Sequence, residues 1–287
     1  MKAPAPSIPG QTCLVTGATS GIGYETALGL ARAGARVGIV GRDAARTEGA
    51  ASRIRATVPG ARIDVFLADL SSQAEIRRLA GEVRDAYSRL DVLVNNAGAI
   101  FDSRHITVDG LERTWALDHL AYMLLTLELL DLLKASAPSR IVNVASMAHK
   151  RGRIDLDDID GAGGYGALKA YSQAKLGNVL FTAALARRLA GTGVTANSLH
   201  PGVIASGFAG GTGGWFGFGW SLIRPFLSNP TDGAATSLHL ATSPEVAGVS
   251  GRYFSKCRPV PTSSLGRDEA LQERVWALSL RQVGRSE

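Results

Sequence analysis

The feature that most constrains the fold is a glycine-bearing loop between an apolar strand and a helix. The strand predicted at Gln11–Thr16 runs into Gly17–Gly23 (GATSGIG), and apolar residues recur at helical spacing over Tyr24–Ala33. Gly34 ends that helix, and a second strand is predicted at Ala35–Val40. This order of elements is typical of the first unit of an α/β sheet with parallel strands.

Strands and helices continue to alternate along the chain, and most strands are apolar throughout, as in sheets buried on both faces. We therefore predict a doubly wound, Rossmann-type parallel sheet of about seven strands with helices on both faces. The further predicted strands are Arg62–Ala68, Asp91–Val94, Ser139–Ala145, Val194–Leu199 and Gly251–Phe254, and the further predicted helices are Ala44–Thr57, Ser72–Tyr87, Leu111–Leu133, the one that carries Tyr171, Thr231–Ala241 and Asp268–Val283.

A single domain over residues 11–287, after a flexible proline-rich arm at 1–10, is the simplest organisation, because the chain shows neither a linker nor an internal repeat. The segment Gly207–Asn229 differs in kind, since glycines alternate there with phenylalanine and tryptophan. We interpret it as a lid that closes over a lipophilic substrate. A contact with a membrane surface and packing onto the core are the alternatives.

Composition excludes several classes of function. The net charge is +6, but the arginines are scattered and no basic run is interleaved with aromatics, which argues against a nucleic-acid partner. The two cysteines, Cys13 and Cys257, provide neither a disulfide framework nor a metal-ligand spacing. No apolar stretch reaches membrane-spanning length and no signal-peptide core is present, so we predict a cytoplasmic protein without a transmembrane segment.

The glycine loop predicts a dinucleotide site. Glycines let the backbone approach a pyrophosphate closely, and the helix that follows offers free N–H groups to the anion. A purely structural turn is the alternative, but strands on both sides favour the binding role. The candidate contacts in this loop are Gly17, Thr19, Ser20, Gly21, Ile22 and Gly23.

The end of the second strand selects the cofactor. A carboxylate there binds a ribose 2′-hydroxyl, whereas an arginine accepts a 2′-phosphate. Arg42 favours NADP(H), with Arg46 one turn further on as a second phosphate contact. Asp43 would favour NAD(H), but we expect it to cap the helix Ala44–Thr57 instead.

Two later strand ends carry polar or small residues, where an open α/β sheet holds its ligand. Asp69, followed by Leu70, contacts the adenine edge of the cofactor or caps the next helix. The fourth strand runs into Asn95-Asn96-Ala97-Gly98, for which an Asx turn is the alternative. From these segments Asp69, Leu70, Asn95, Ala97 and Gly98 are candidate cofactor contacts.

An acid–base pair is suggested by Tyr171 and Lys175, four residues apart in a helical pattern. A neighbouring ammonium lowers the pKa of a phenol, which equips it to exchange a proton with an alcohol. Tyr165 and Lys169 have the same spacing, so spacing alone does not choose between the two pairs. Ser146, at the end of the fifth strand, is a further polar candidate.

Taken in order, these segments resemble the short-chain dehydrogenase/reductase family over nearly the whole chain. Within it, the chain looks most like the retinol-dehydrogenase-like branch, and the context after Lys175 (LGNVLFT) marks Tyr171 rather than Tyr165 as the family tyrosine. The matching segments are Thr16–Gly23, Asp69-Leu70, Asn95–Gly98, Val142–His149 with Ser146, Tyr171–Thr182, His200-Pro201-Gly202 and Gly251–Phe254.

The resemblance implies an NADP(H)-dependent oxidoreductase that acts on a carbonyl or alcohol, often lipophilic. Tyr171 would exchange the proton, Ser146 would hold the substrate oxygen, and Lys175 would lower the pKa of Tyr171 and bind the nicotinamide ribose. The nicotinamide carboxamide would lie against Pro201, Gly202, Val203 and Ser206.

One residue departs from the family pattern. Asp118 stands where the family usually has the asparagine of an Asn-His-Leu sequence. The carboxylate either holds a relay water as the asparagine would, or pairs with Lys175 and weakens its effect on Tyr171. The residues also leave open a catalytically silent NADP(H)-binding protein that acts through partners, an epimerase or dehydratase on the same fold, and either a homodimer or a monomer.

Overall fold

The computed structural model describes residues 7–202 and 230–286, and these form one α/β layer structure. Its strands are β1 (Thr12–Thr16), β2 (Arg36–Gly41), β3 (Arg62–Leu67), β4 (Val92–Asn95), β5 (Ser139–Val144), β6 (Val194–His200), β7 (Tyr253–Ser255) and β8 (Arg258–Pro259). Its α-helices are α1 (Gly21–Arg32), α2 (Ala44–Thr57), α3 (Gln73–Ala86), α4 (Arg113–Trp115), α5 (Ala121–Glu128), α6 (Leu130–Ala135), α7 (Ala167–Arg188), α8 (Pro230–Thr242) and α9 (Glu269–Gln282).

The strands form a single sheet in the order β3-β2-β1-β4-β5-β6-β7-β8, and all neighbours are parallel except β7 and β8. Alternate residues of a strand face opposite layers, so Cys13 packs with α1, α2 and α8 while Leu14 packs with α3, α5 and α7. This confirms the predicted doubly wound sheet. Ligands of such sheets bind where the strand order reverses, here between β1 and β4.

The eighth strand was not predicted from the sequence. It is two residues long, contains Pro259, and pairs antiparallel with β7 across a turn in which Lys256 and Cys257 have positive φ. Proline is tolerated on an edge strand because no ladder bond is needed from its nitrogen. Such a short segment has no apolar alternation by which it could be found.

The prediction of one continuous helix over Leu111–Leu133 is wrong. The Glu112 carboxylate accepts from the amides of Thr114 and Trp115, so the helix begins at Arg113. A π turn follows over Ala116–Leu120, and regular α-helix resumes as α5 and then α6. A π turn inserts one residue into the helix and changes the direction of the side chains there, which include Asp118.

Helix α9 covers the outer face of α7. The Trp276 ring stacks on Phe181 at a centroid distance of 5.8 Å, and the Trp115 indole N–H donates to Gln282 Oε1 at 2.8 Å. This face of α7 is therefore covered by a helix of the same chain.

None of the helices in residues 7–202 and 230–286 combines the length and the apolar character needed to span a bilayer.

Candidate active site

The glycine loop between β1 and α1 has the conformation that its glycines were predicted to allow. Gly17 and Gly21 have φ of 66° and 58°, in the left-handed region that side chains disfavour. A Cβ at Gly17 would lie 2.8 Å from the Ala97 Cα, and one at Gly23 would lie 2.4 Å from the Gly17 carbonyl oxygen. The side chain of Ser20, the residue before α1, makes no capping hydrogen bond, which leaves the first N–H groups of the helix available to an anion.

At the end of β2, Asp43 acts as a helix cap, as expected. Its Oδ1 accepts from the Arg46 amide at 2.8 Å, and Arg42 beside it is exposed. Across the crevice, burial opposes ionisation of Asp69, but two hydrogen bonds from Ser71 and the charge of Arg42 bring the pKa of Asp69 below its ordinary value. This edge therefore presents a carboxylate and an exposed guanidinium close together.

The alternative role of Asp69 as a helix cap is wrong. Asp69 accepts from the amide and hydroxyl of Ser71 in an Asx turn, and the first amide of α3, from Gln73, donates to Asp109 Oδ2 at 2.9 Å. Leu70 is buried in the core, where its side chain packs against the sheet.

In the segment after β4, some residues stabilise the fold and others line the site. Asn95 is fully buried, and its amide donates to Thr126 Oγ1 at 3.0 Å and to Asn143 Oδ1 at 2.9 Å. The structure therefore does not bring Asn95 to the surface of the crevice. The Asn96 amide donates to the Thr16 carbonyl at 2.8 Å and so holds the glycine loop, a role that the sequence did not assign.

Gly98 and Ala97 line the inner part of the site. A Cβ at Gly98 would lie 2.8 Å from Asp118 Oδ2 and 3.1 Å from Lys175 Nζ. The Ala97 amide donates to Thr16 Oγ1 at 3.0 Å, which ties this segment to the end of β1. Only glycine fits against the buried charged pair at position 98.

Ser146 lies two residues after the end of β5, has an extended backbone and opens a short 3-10 turn over Met147–Lys150. Its Oγ accepts from the Ala148 amide at 3.2 Å and is a hydrogen-bond partner of the Tyr171 hydroxyl. The two side chains predicted to act on one substrate oxygen therefore meet, one from a strand end and the other from α7.

The surroundings of Tyr171 give its pKa the opposite direction to the one predicted. Burial raises the pKa of Tyr171 and the charge of Asp118 raises it further, while the hydrogen bond with Ser146 lowers it. Lys175 Nζ lies 5.4 Å from the centre of the Tyr171 ring. The causes of this shift are the burial of the phenol and the carboxylate nearby, and the expected lowering of the pKa by Lys175 is not among them.

That carboxylate pairs with the lysine. Lys175 Nζ lies 3.1 Å from Asp118 Oδ2 in an ion pair, and both side chains are almost fully buried. Oδ1 accepts from the Ala99 amide at 2.9 Å. Burial raises the pKa of Asp118, against the opposing charge of Lys175. Of the two roles considered for Asp118, the structure shows the pairing with Lys175.

The second tyrosine with this spacing is placed differently. Tyr165 precedes α7, and its hydroxyl donates to the Phe101 carbonyl at 3.0 Å and lies 3.1 Å from Thr114 Oγ1. Lys169 is exposed. Neither residue of this pair meets Ser146 or Asp118.

The last predicted contacts follow β6. Pro201 and Gly202 are half-buried at the same edge of the sheet, and Gly202 has φ of 100°. Val203, Ser206 and the proposed lid at 207–229 lie outside the described residues, as does most of the predicted arm at 1–10. Two exposed apolar side chains are neighbours of these residues in the sequence: Met147, which follows Ser146, is 46% exposed, and Leu168, three residues before Tyr171, is 52% exposed.

Comparisons with known proteins agree with one another. The profile of the family described as short chain dehydrogenase matches residues 11–213. Retinol dehydrogenase 12 of Mus musculus is 42% identical over 96% of this chain and 87% of its own length. Retinol dehydrogenase 13 of Homo sapiens is 41% identical over 97% of this chain and 86% of its own length.

Two solved structures are similar over most of the fold. An uncharacterized protein from Mycobacterium Paratuberculosis has a TM-score of 0.79 and 32% identity, covering 98% of this chain and 96% of its own. The Pseudomonas aeruginosa RhlG/NADP active-site complex has a TM-score of 0.70 and 29% identity, covering 94% of this chain and 100% of its own.

Proposed function

Because this chain belongs to the short-chain dehydrogenase family and is an oxidoreductase of retinol-dehydrogenase-like type, we propose that it is an NADP(H)-dependent enzyme with Tyr171 as its general acid–base. It moves hydride between nicotinamide and the carbonyl or alcohol carbon of a lipophilic small molecule. The observation that carries the proposal is the meeting of Ser146 and Tyr171 above the buried Lys175–Asp118 pair. These groups share the sheet edge of the glycine loop.

The residues present fit a dinucleotide phosphate cofactor. The positive φ of Gly17 and Gly21 and the uncapped start of α1 make an anion cradle. The Asp43 carboxylate is engaged with the Arg46 amide, while Arg42 is exposed and oriented by no described ion pair. This arrangement supports NADP(H) over NAD(H), since a guanidinium attracts a 2′-phosphate that a carboxylate would repel.

When bound, the cofactor supplies or accepts the hydride. In carbonyl reduction, the Tyr171 hydroxyl donates its proton to the substrate oxygen, and Ser146 orients that oxygen by a hydrogen bond. Because its surroundings raise the pKa of Tyr171, the phenol keeps its proton at neutral pH and so holds the proton that carbonyl reduction consumes. Lys175 would bind the nicotinamide ribose, held in place by Asp118.

A lipophilic substrate is supported by the surface beside the acid–base pair. Met147 follows Ser146, Leu168 lies one turn before Tyr171, and both leave about half of their surface exposed, where an apolar substrate could cover them. The names of the relatives add retinol-like alcohols and their aldehydes to the substrates that we propose. A cytoplasmic location and a homodimer stay predictions from the sequence.

The test is a turnover assay with purified protein, NADPH or NADH, and a panel of aldehydes, ketones and quinones that includes retinaldehyde. We expect NADPH to be consumed in preference to NADH, and Arg42→Ala to raise the KM for NADPH roughly ten-fold, as loss of a charged contact does, with little effect on NADH. Equal use of both cofactors by the unchanged protein would contradict the role of Arg42.

A second candidate function is favoured by the Asp118–Lys175 pair, which neutralises the lysine beside Tyr171. In that case the protein binds NADP(H) but turns over slowly and acts through partners. Tight NADPH binding with no consumption across the panel is the outcome that would favour it over the enzyme.

A further inference from the structure

The peptide unit that joins Ser146 to Met147 is held at both ends by imidazole rings. Its carbonyl oxygen lies 2.7 Å from Nδ1 of His149, and its N–H donates to Nδ1 of His200 at 3.3 Å. His149 belongs to the turn that Ser146 opens, whereas His200 ends the neighbouring strand β6. We call these two rings the imidazole clamp.

Each ring of the clamp has one permitted tautomer. A carbonyl oxygen only accepts, so Nδ1 of His149 carries its proton, and Nε2 accepts from the Ser263 amide at 3.3 Å. A backbone N–H only donates, so Nδ1 of His200 is unprotonated and its proton is on Nε2. The two histidines are therefore neutral and of opposite tautomer.

Burial keeps both rings neutral. His149 is fully buried and His200 is 8% exposed. Burial lowers the pKa of His149, and burial with the neighbouring His149 lowers the pKa of His200 to about 4. The Tyr253 ring packs against His149 at 4.7 Å between centroids, which fixes the imidazole from the side of β7.

We propose that His149 and His200 are positioning residues that aim the Ser146 hydroxyl at Tyr171 and the substrate oxygen. Fixing the Ser146–Met147 peptide plane constrains ψ of Ser146 and with it the direction of the Cα–Cβ bond. The Ala148 amide already occupies one acceptor position of Ser146 Oγ, so the hydroxyl hydrogen is left for the reacting groups. This inference rests on the proposed oxidoreductase function, in which Ser146 touches the substrate.

The kinetic test compares single and double variants. His149→Leu and His200→Leu are each expected to lower kcat roughly 10- to 100-fold, because misplacing a reacting group by about 1 Å has such an effect, while the KM for NADPH changes less than about two-fold. Asparagine puts a donor or acceptor near the position of Nδ1, so His149→Asn and His200→Asn should recover most of the loss.

The decisive comparison uses Ser146→Ala. If the clamp acts through Ser146, His149→Leu and His200→Leu have no further effect on kcat in that background, because residues that act as a unit are not additive. His119 is the control, because it is equally buried but is hydrogen-bonded to Asn178 and Ser279. His119→Leu should lower kcat by the same factor with Ser146 or with alanine at position 146.

The proposal would be overturned if the effects of the clamp variants and of Ser146→Ala on kcat were fully additive. It would also be overturned if His119→Leu, like the clamp variants, had no effect on kcat in the Ser146→Ala background.

A second measurement does not depend on turnover. Long-range ¹H–¹⁵N spectra of the histidine rings in the unmodified protein at pH 7, assigned with the two asparagine variants, report which nitrogen carries the proton. We expect Nδ1–H for His149 and Nε2–H for His200. Equal tautomers or a protonated ring would overturn the clamp even if no substrate is found, whereas opposite tautomers with an inactive protein would place the failure in the proposed function.

Discussion

Two tyrosine–lysine pairs of identical spacing lie six residues apart, and only one is built into a site. Tyr165 precedes the start of α7 at Ala167, so it shares no helix face with Lys169. Tyr171 and Lys175 both lie within α7, and Lys175 is almost fully buried. The four-residue spacing has physical meaning only where both residues are helical.

The elements around the pairs make the larger difference. Tyr171 meets Ser146 from the end of β5, and Lys175 meets Asp118 from the π turn. Tyr165 bonds instead to the Phe101 carbonyl, which makes it a strut between two loops. A short motif of this kind therefore acquires its chemical surroundings from side chains that are distant in the sequence.

The largest effect should come from the two tyrosines. Tyr171→Phe removes the proton donor, and a positioned acid–base contributes roughly 10²- to 10⁴-fold, so turnover should fall by that factor. Tyr165→Phe should retain turnover. Steady-state rates with NADPH and an aldehyde of the panel measure both variants. Similar losses of turnover for the two would contradict the assignment of the acid–base role to Tyr171 alone.

Lysine is next. Lys175→Met leaves the Asp118 carboxylate buried without its partner, and breaking a buried pair in this way typically costs about 3–5 kcal/mol of unfolding free energy. Lys169→Met alters an exposed side chain and should change stability by less than about 0.5 kcal/mol. Urea unfolding of both variants makes the measurement. A stable Lys175→Met protein would mean that Asp118 takes up a proton readily.

Asp118→Asn should change the pH dependence more than the rate. The Asp118 charge raises the pKa of Tyr171, so its removal lowers that pKa. Alcohol oxidation needs the phenolate, and its rise with pH should therefore move to lower pH, while turnover is kept or raised by up to about ten-fold. Rate profiles in both directions test this prediction, and a large loss would show that the carboxylate has a role of its own.

The smallest expected effect concerns the contribution of Tyr165 to stability. Tyr165→Phe deletes the hydrogen bond to the Phe101 carbonyl, and one such bond contributes about 1 kcal/mol of stability. Thermal unfolding at matched pH should show that loss with unchanged kcat. An unchanged melting temperature would mean that this bond contributes nothing to the fold.

The pattern of apolar residues along the chain was sufficient to predict the layers of the fold. Helix α2 spans Ala44–Thr57 as predicted, because a capping aspartate and an apolar stripe mark it locally. The break near Asp118 could not be predicted, since a π turn leaves the apolar pattern of the surrounding helix intact. The two residues of β8 gave too little pattern to detect.

The placement of several candidate residues was predictable from their type and position, as with the positive-φ glycines of the loop, the exposed Arg42 and the helix that carries Tyr171, while their roles stay predictions. The direction of the pKa of Tyr171 was not, because it depends on burial and on Asp118, which lies 53 residues before it in the chain. The clamp histidines were visible in the sequence, but their tautomers follow from partners such as Ser263 that only the folded chain supplies.

The packing of α9 on α7 bears on how activity depends on protein concentration. A catalytic helix that is covered by a second subunit loses its support when dilution separates the subunits. Here Trp276 stacks on Phe181, and Glu273 pairs with Arg187 and Arg188, all within one chain. The support of α7 on this face is therefore intramolecular, and we expect dilution from micromolar to nanomolar protein to leave that support, and any activity that depends on it, unchanged.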